Sequence, residues 1–119
     1  MKYFECPIEP TPDIEYSLIR GQGACMDSEE SPIRIPDGHL LLIHELPLSE
    51  PGLMSLCNKV VCLFLSGQVI HKQVVYVDMV GYRLKLRQYN LFGEFWISIR
   101  DVERIFLVDG AYSEESLNS

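Results

Sequence analysis

From residue 59 onward, the chain alternates short apolar segments with compact turns, and this pattern constrains the fold most. Between Tyr82 and Arg87, apolar residues alternate with basic ones, which is the two-residue period of a strand with one buried face. Similar apolar segments predict strands over 16–20, 40–43, 60–65, 69–77, 82–88, 94–99 and 104–108. Short strands with regular turns and little helix indicate an all-β (mostly β) domain, built as a barrel or a sandwich.

Proline content and polarity divide the chain into three parts. Residues 1–15 hold three of the seven prolines and predict an extended Pro-rich arm. Residues 16–109 contain all the predicted strands, and a chain of this length can bury a core of its own. Residues 110–119 are polar and predict a flexible tail.

Charge and hydropathy exclude some classes of partner. The net charge of -7 repels phosphate backbones, so we expect no direct binding of nucleic acid. No apolar stretch approaches the roughly 20 residues that a membrane span requires. The N-terminal residues lack the apolar core of a signal peptide, and the four cysteines are then expected to be reduced thiols. We therefore predict a cytoplasmic protein.

Lys72 lies in the middle of a predicted strand. A two-residue period places Lys72 on the same face as Ile70, Val74 and Tyr76, and this face is more apolar than the face of His71. Burial there would disfavour the ammonium form and favour the neutral amine, which can act as a general base. The alternative is that the side chain extends along the sheet and keeps its ammonium group in water.

A cysteine follows a run of small residues in the first half of the chain. Residues 21–24 form a Gly-containing turn that leads to Cys25 and Met26 in a polar loop. A second turn follows at 36–38, where proline presets the first corner and glycine accepts a positive φ. A free cysteine is usually a small buried residue with little thiolate at neutral pH. A contact with Lys72 would instead make Cys25 a nucleophile paired with a base, the arrangement used for covalent acyl transfer.

Metal and cofactor sites are not expected. Cys57 and Cys62 have four residues between them, but Cys62 lies inside an apolar strand, and no second pair of ligands has the spacing of a zinc site. His39 and His44 would fall on opposite faces of a strand. The chain has no glycine-rich phosphate loop and no G-x-S-x-G motif, so we predict neither a metal nor a cofactor.

A basic cluster and an aromatic cluster in the second half of the chain are each expected to have a structural role rather than a binding role. The basic residues between Arg83 and Arg87 predict a solvated strand face rather than a binding site. Phe92, Phe95 and Trp96 predict core and edge positions rather than a platform on which bases stack, because the chain is acidic.

Five short segments, taken in order, resemble the LexA/UmuD-type peptidase family, which includes the C-terminal domains of phage repressors. They are Gly23-Ala24-Cys25-Met26, Ile35-Pro36-Asp37-Gly38-His39, Val69-Ile70-His71-Lys72-Gln73, Tyr89-Asn90 and the segment from Asp101 to Val108. The resemblance runs from about residue 16 to residue 109 and implies a strand-rich fold like that of LexA and signal peptidases. Each motif alone is weak, and their common order carries the match.

The resemblance implies a function and a site. Members of the family use a Ser–Lys dyad to cleave a peptide bond, usually in their own N-terminal arm. Carried over by position, Cys25 would be the nucleophile, Lys72 the general base, and Met26 the neighbouring residue at the oxyanion site. The implied substrate is the protein's own arm or a partner protein, and the implied assembly is a homodimer. The family also implies a role in transcriptional regulation or the SOS response.

The chain departs from the family in four respects. Cysteine replaces the nucleophilic serine, and His39 replaces the usual acidic or small residue after Asp-Gly. The segment 46–58 looks like an insertion between the two dyad positions. Neither an Ala-Gly nor a Cys-Gly pair, the family's usual cleavage sites, precedes Cys25, and the short Pro-rich arm is not expected to form a helix-turn-helix. Two functions therefore stay open, a peptidase with a Cys25/Lys72 dyad and a catalytically inactive relative that acts as a dimerisation or protein-interaction module.

Overall fold

A computed structural model of the protein describes residues 14–21, 23 and 25–113, and its strands form one antiparallel sheet. The elements are β1 (Tyr16–Arg20), β2 (Leu40–Leu46), α1 (Glu50–Met54), β3 (Val60–Leu65), β4 (Gln68–Asp78), β5 (Arg83–Gln88), β6 (Gly93–Ser98), a short 3-10 turn (Ile99–Asp101) and β7 (Val102–Tyr112). Within the described residues, the strand order is β1-β2-β7-β3-β4-β5-β6. The prediction of a mostly β fold with little helix is confirmed.

The last strand is longer than the sequence indicates. Residues 110–112 were predicted to begin the flexible tail, but they belong to β7 and pair with Leu40, Leu41 and Leu42 of β2. A bulge at Asp109 allows this pairing to continue past the polar residue. That part of the prediction is wrong, because cross-strand pairing with β2 holds residues that have little strand signal of their own. The rest of the tail, 114–119, and the arm up to residue 13 lie outside the described residues.

Apolar residues pack on both faces of the sheet. Val61 and Leu63 of β3 belong to the first core, which also contains Val74, Leu84, Leu86 and Ile105. Leu53 of α1 and Leu56, just after the helix, cover this core. Val60 and Cys62 alternate with Val61 and Leu63 and belong to the second core, together with Met26, Ile35, Leu41, Ile43, Phe106 and Val108. Because consecutive strand residues point to opposite faces, these two cores lie on opposite sides of β3.

A bulge changes the expected faces of β4. Val74 pairs with Leu86, but the next partner of β5 is Tyr76, so one extra residue is inserted in β4. Ile70 and Val74 pack in or against the first core as predicted, whereas Tyr76 is 57% exposed and Val77 takes the inward position. The predicted placement of Tyr76 on the buried face is therefore wrong, because the bulge shifts the alternation by one residue.

The second face is only partly covered. The loop between β1 and β2 supplies Met26 and Ile35 to the second core. Over β4, β5 and β6 the same face is open, and Trp96 is 40% exposed on the edge strand β6. Phe95 and Trp96 lie on the edge strand as predicted, whereas Phe92 lies in the turn before β6. All three are exposed, so the prediction of core positions is wrong, and Ile97 takes the inward position on β6. None of the helices in the described part of the chain is long and apolar enough to cross a membrane.

The first core predicts a clear contrast in stability. Leu63 is fully buried in the first core, so Leu63→Ala should lower the free energy of unfolding by about 2–5 kcal/mol. The matched control is Leu91→Ala, because Leu91 is 87% exposed. This change should alter stability by no more than about 0.5 kcal/mol. Urea unfolding followed by tryptophan fluorescence measures both, and equal effects would contradict the assignment of the core.

Candidate functional site

Two turns that are far apart in sequence are joined at the end of β1. The amide of Gly21 donates to the carbonyl of His39 at 2.8 Å, and the amide of Gly38 donates to the carbonyl of Gly21 at 3.3 Å. Asp37 accepts a hydrogen bond from the amide of Gly23 at 2.8 Å. Gly23 and Gly38 have φ angles of 81° and 82°, which only glycine adopts without strain. These bonds close the loop that carries the cysteine.

The main chain of Cys25 is held from two sides. Its carbonyl accepts hydrogen bonds from the amides of Tyr89 and Asn90, each at 2.9 Å, in the turn between β5 and β6. The next residue, Met26, is fully buried in the second core, and its carbonyl accepts a hydrogen bond from the amide of Ile35 at 3.0 Å. The position of the Cys25 side chain is thus set by the sheet and not by the loop alone.

Lys72 lies where one side of β4 loses its strand partner. β5 pairs with β4 from Gln73 onward, beginning with the pair Gln73 and Arg87, so it does not reach Lys72. On the other side, Lys72 pairs with Val61 of β3. The side chain of Lys72 is not extended into water, because the residue is only 9% exposed. The vacant edge of β4 is the place at which the loop with Cys25 approaches.

The structure brings Cys25 and Lys72 into direct contact. The Lys72 Nζ donates a hydrogen bond to the Cys25 Sγ at 2.8 Å. The thiol also lies 3.7 Å from the carbonyl oxygen of His71, to which it can donate. A buried amine would carry an unpaired charge at high cost, so a polar partner is needed there. The contact places a sulfur nucleophile and a nitrogen base within proton-transfer distance.

Met26, predicted as the neighbour at an oxyanion site, contributes an apolar side chain to the second core. Its thioether cannot donate a hydrogen bond, so only its amide could serve as an oxyanion donor. Within the described part of the chain, the amides of Cys25 and Met26 donate to no other main-chain group. Main-chain amides beside a nucleophile are typical donors for an oxyanion.

His71 is a feature of the site that the sequence analysis did not single out. It is 4% exposed, and its Nε2 has no hydrogen-bond partner among the described residues. Burial is the main cause that lowers the pKa of His71 below 6.5, the positive charge of Lys72 lowers it further, and Asp37 acts in the opposite direction. His71 also lines a cleft of about 430 Å³, with Ile19, Phe64 and Val69 among the other lining residues. The only sequence signal was a histidine next to the candidate base.

A polar contact supports the turn that holds Cys25. The hydroxyl of Tyr89 donates to the side-chain oxygen of Gln73, and the side-chain amide of Gln73 donates to the carbonyl of Asn58 at 3.3 Å. Gln73 is itself buried, next to Lys72 on β4. These bonds connect the turn after β5 to the strand that carries the lysine.

The two other thiols that the structure describes differ from Cys25. Burial raises the pKa of the Cys62 thiol to about 12, so this thiol stays protonated at neutral pH. Cys57 is exposed, and its Sγ lies 3.6 Å from the carbonyl oxygen of Val75. In the residues that the structure describes, no three His, Cys, Asp or Glu side chains are grouped so that they could hold a metal ion.

Comparisons with known proteins give no information about the function of this chain. No protein-family model, curated protein or solved structure matches the chain. The resemblance to the LexA/UmuD family therefore stays a prediction from five short motifs. The contact between Cys25 and Lys72 is an observation that does not depend on that resemblance.

The buried imidazole of His71 predicts a pH dependence of stability. Its pKa is lowered on folding, so the unfolded chain binds a proton more readily as the pH falls below 6.5. The stability that neutral His71 contributes is present above pH 6.5 and is lost as the pH falls through the folded-state pKa. Between pH 7.5 and pH 5, the wild-type protein should lose more stability than His71→Gln.

The control for this experiment is His39→Gln, which changes a partly exposed histidine in the second turn. Urea midpoints measured at several pH values should show the wild-type slope in His39→Gln and a shallower slope in His71→Gln. Identical slopes in all three proteins would contradict a buried neutral His71.

Proposed function

We propose that this chain is a LexA/UmuD-like peptidase-family domain in which Cys25 is the nucleophile and Lys72 is the general base. The observation that carries the proposal is the 2.8 Å contact between Sγ and Nζ inside a mostly buried site. A thiol and an amine at this distance can exchange a proton directly. The order of the five family-like motifs supports the same assignment.

The reaction would proceed by covalent catalysis. The neutral Nζ of Lys72 takes the thiol proton as the Sγ of Cys25 attacks the carbonyl carbon of a peptide bond. The amide of Cys25, which is partly exposed, stabilises the oxyanion that forms. Collapse of this intermediate breaks the C–N bond, and the ammonium of Lys72 returns the proton to the leaving amine. Water then hydrolyses the thioester, with Lys72 again acting as the base.

The proposed substrate is an extended peptide, either the protein's own arm (residues 1–15) or a segment of a partner protein. The cleft beside His71 supports this, because its walls include apolar residues such as Ile19, Phe64 and Val69 that can accept an apolar side chain. The carbonyl of His71 contacts the Cys25 thiol, so the cleft and the nucleophile share this residue. A cytoplasmic role in transcriptional regulation or the SOS response belongs to the same proposal.

Intact-mass spectrometry tests the proposed activity. The purified protein, Cys25→Ser and Lys72→Ala are incubated for days from neutral to alkaline pH, alone and with a peptide that copies residues 1–15. We expect a fragment to appear in the unmodified protein and to accumulate with time. Loss of the base should slow cleavage by about 10²–10⁴-fold in Lys72→Ala.

The matched control is Cys57→Ser, which removes an exposed thiol outside the site and should cleave at the wild-type rate. Cleavage in Cys25→Ser alone would identify a Ser–Lys site that the natural cysteine slows. An unchanged mass in every protein, with and without the peptide, would contradict a peptidase that acts on the arm.

A second candidate function is a protein-interaction module, and the open part of the second face favours it. Tyr76 and Trp96 are 57% and 40% exposed and pack edge to face, with ring centroids 6.1 Å apart. The guanidinium of Arg83 lies 4.0 Å above the centre of the Trp96 ring. Both side chains, together with Tyr76 and Lys85, line a shallow cavity of about 440 Å³. Exposed Tyr, Trp and Arg side chains are typical of interface centres. We propose a second copy of the chain as the partner at this aromatic–cationic surface.

This candidate makes its own prediction. Trp96→Ala should weaken homodimerisation by about 2 kcal/mol, or roughly thirtyfold in Kd. Val80→Ala is the control, because Val80 is fully exposed in the neighbouring turn. Sedimentation velocity over a concentration series measures both variants. A wild-type protein that stays monomeric at the highest concentration, or a dimer unaffected by Trp96→Ala, would contradict the proposal.

A further inference from the structure

We propose that Cys25 and Lys72 are also a site of oxidative modification, at which hydrogen peroxide links Sγ to Nζ through one bridging oxygen atom. The contact of 2.8 Å between the two atoms is the first ground for this inference. The link needs only this contact, so it does not depend on whether the protein is a peptidase.

Both reacting side chains are held in place before any oxidation. The Cys25 carbonyl is bound by two amides of the turn after β5, and Lys72 lies within β4, paired with Val61 of β3. Two groups held in contact react as if each were present at a very high concentration. An oxidised sulfur at this position is therefore already in contact with the lysine nitrogen.

The chemistry takes two equivalents of peroxide. The first oxidises the Cys25 thiol by two electrons to a sulfenic acid and is itself reduced to water. The second oxidises the Lys72 amine by two electrons. The oxygen of the sulfenic acid stays on the sulfur and forms a new bond to the lysine nitrogen. This N–O bond replaces the O–H bond of the sulfenic acid and one N–H bond of the amine. The second peroxide leaves as two further water molecules. The product is a neutral S–O–N link with one hydrogen left on the nitrogen.

Exposure directs the oxidant to this pair. Cys25 is partly exposed, so a small oxidant can reach its sulfur, whereas Cys62 is fully buried. Burial also raises the pKa of the Cys62 thiol to about 12, which keeps it in the unreactive protonated form. Cys57 is exposed and can be oxidised, but its sulfur contacts a carbonyl oxygen and not an amine.

The link would change the site in two ways. It replaces an N–H bond of Lys72 with an N–O bond, which makes the nitrogen a poor base, and it consumes the thiol of Cys25, so neither group remains available as base or nucleophile. It also ties the loop after β1 to the middle of β4, which restrains both in the unfolded chain. Thiol reductants cleave a sulfur–oxygen bond, so the change is reversible and the site can respond to peroxide.

Peroxide treatment of the full chain, followed by intact-mass spectrometry, tests the proposal. The reduced protein should gain about 14 Da, one oxygen added and two hydrogens lost, and dithiothreitol should restore the original mass. Trypsin would no longer cut after the modified lysine. The digest should therefore contain residues 21–34 joined to residues 60–83.

Matched variants decide whether the lysine is required. Cys57→Ser should form the link as the wild-type protein does, and Cys25→Ser should not form it. Lys72→Arg and Lys72→Gln should not form the species about 14 Da heavier, because the Nζ amine is absent, and should instead accumulate oxygen on Cys25. Thermal unfolding of each variant before treatment shows that it is folded.

Three outcomes would overturn the proposal. The first is a wild-type protein that gains only whole oxygen atoms, in the same yield as Lys72→Arg. The second is a product about 2 Da lighter that requires Lys72, which would be a direct S–N bond. The third is a species about 14 Da heavier that persists in Cys25→Ser. None of these outcomes bears on peptide cleavage, which is measured separately without peroxide.

Discussion

The edge of β4 next to Lys72, which β5 leaves without a strand partner, is the feature on which the candidate site depends. The loop after β1 approaches this edge, and the carbonyl of Cys25 takes up the amides of Tyr89 and Asn90 just after β5 ends. The thiol of Cys25 in turn lies 3.7 Å from the carbonyl oxygen of His71 on this edge. Cys25 in this position contacts Lys72, the lysine of β4, at 2.8 Å.

The contact between Cys25 and Lys72 also explains why a lysine is tolerated inside the sheet. A lysine that is only 9% exposed needs a polar partner for its amine, and the thiol supplies one at 2.8 Å. The same closeness supports proton transfer, which the peptidase proposal uses, and bond formation under oxidation. The two proposals therefore share one geometry, but they fail under different experiments.

The two faces of the sheet have separate roles. The first core holds the strands together, and the loop with Met26 and Ile35 covers part of the second face and positions the site. The rest of the second face, with Tyr76 and Trp96, is open beside the edge strand β6. A dimer formed there would leave the contact between Cys25 and Lys72 untouched, so catalysis and assembly can be tested independently.

Local patterns in the sequence were sufficient for most strands, for the turn with Gly38 and for Cys25 and Lys72 as candidates, because a two-residue period and a positive φ depend on neighbouring residues. Only the tertiary structure decided the features that depend on distant partners. The bulge after Val74 turned Tyr76 outward, and pairing with β2 extended β7 to Tyr112. The burial of His71 and the approach of the loop to β4 likewise follow from cross-strand packing, which no local pattern encodes.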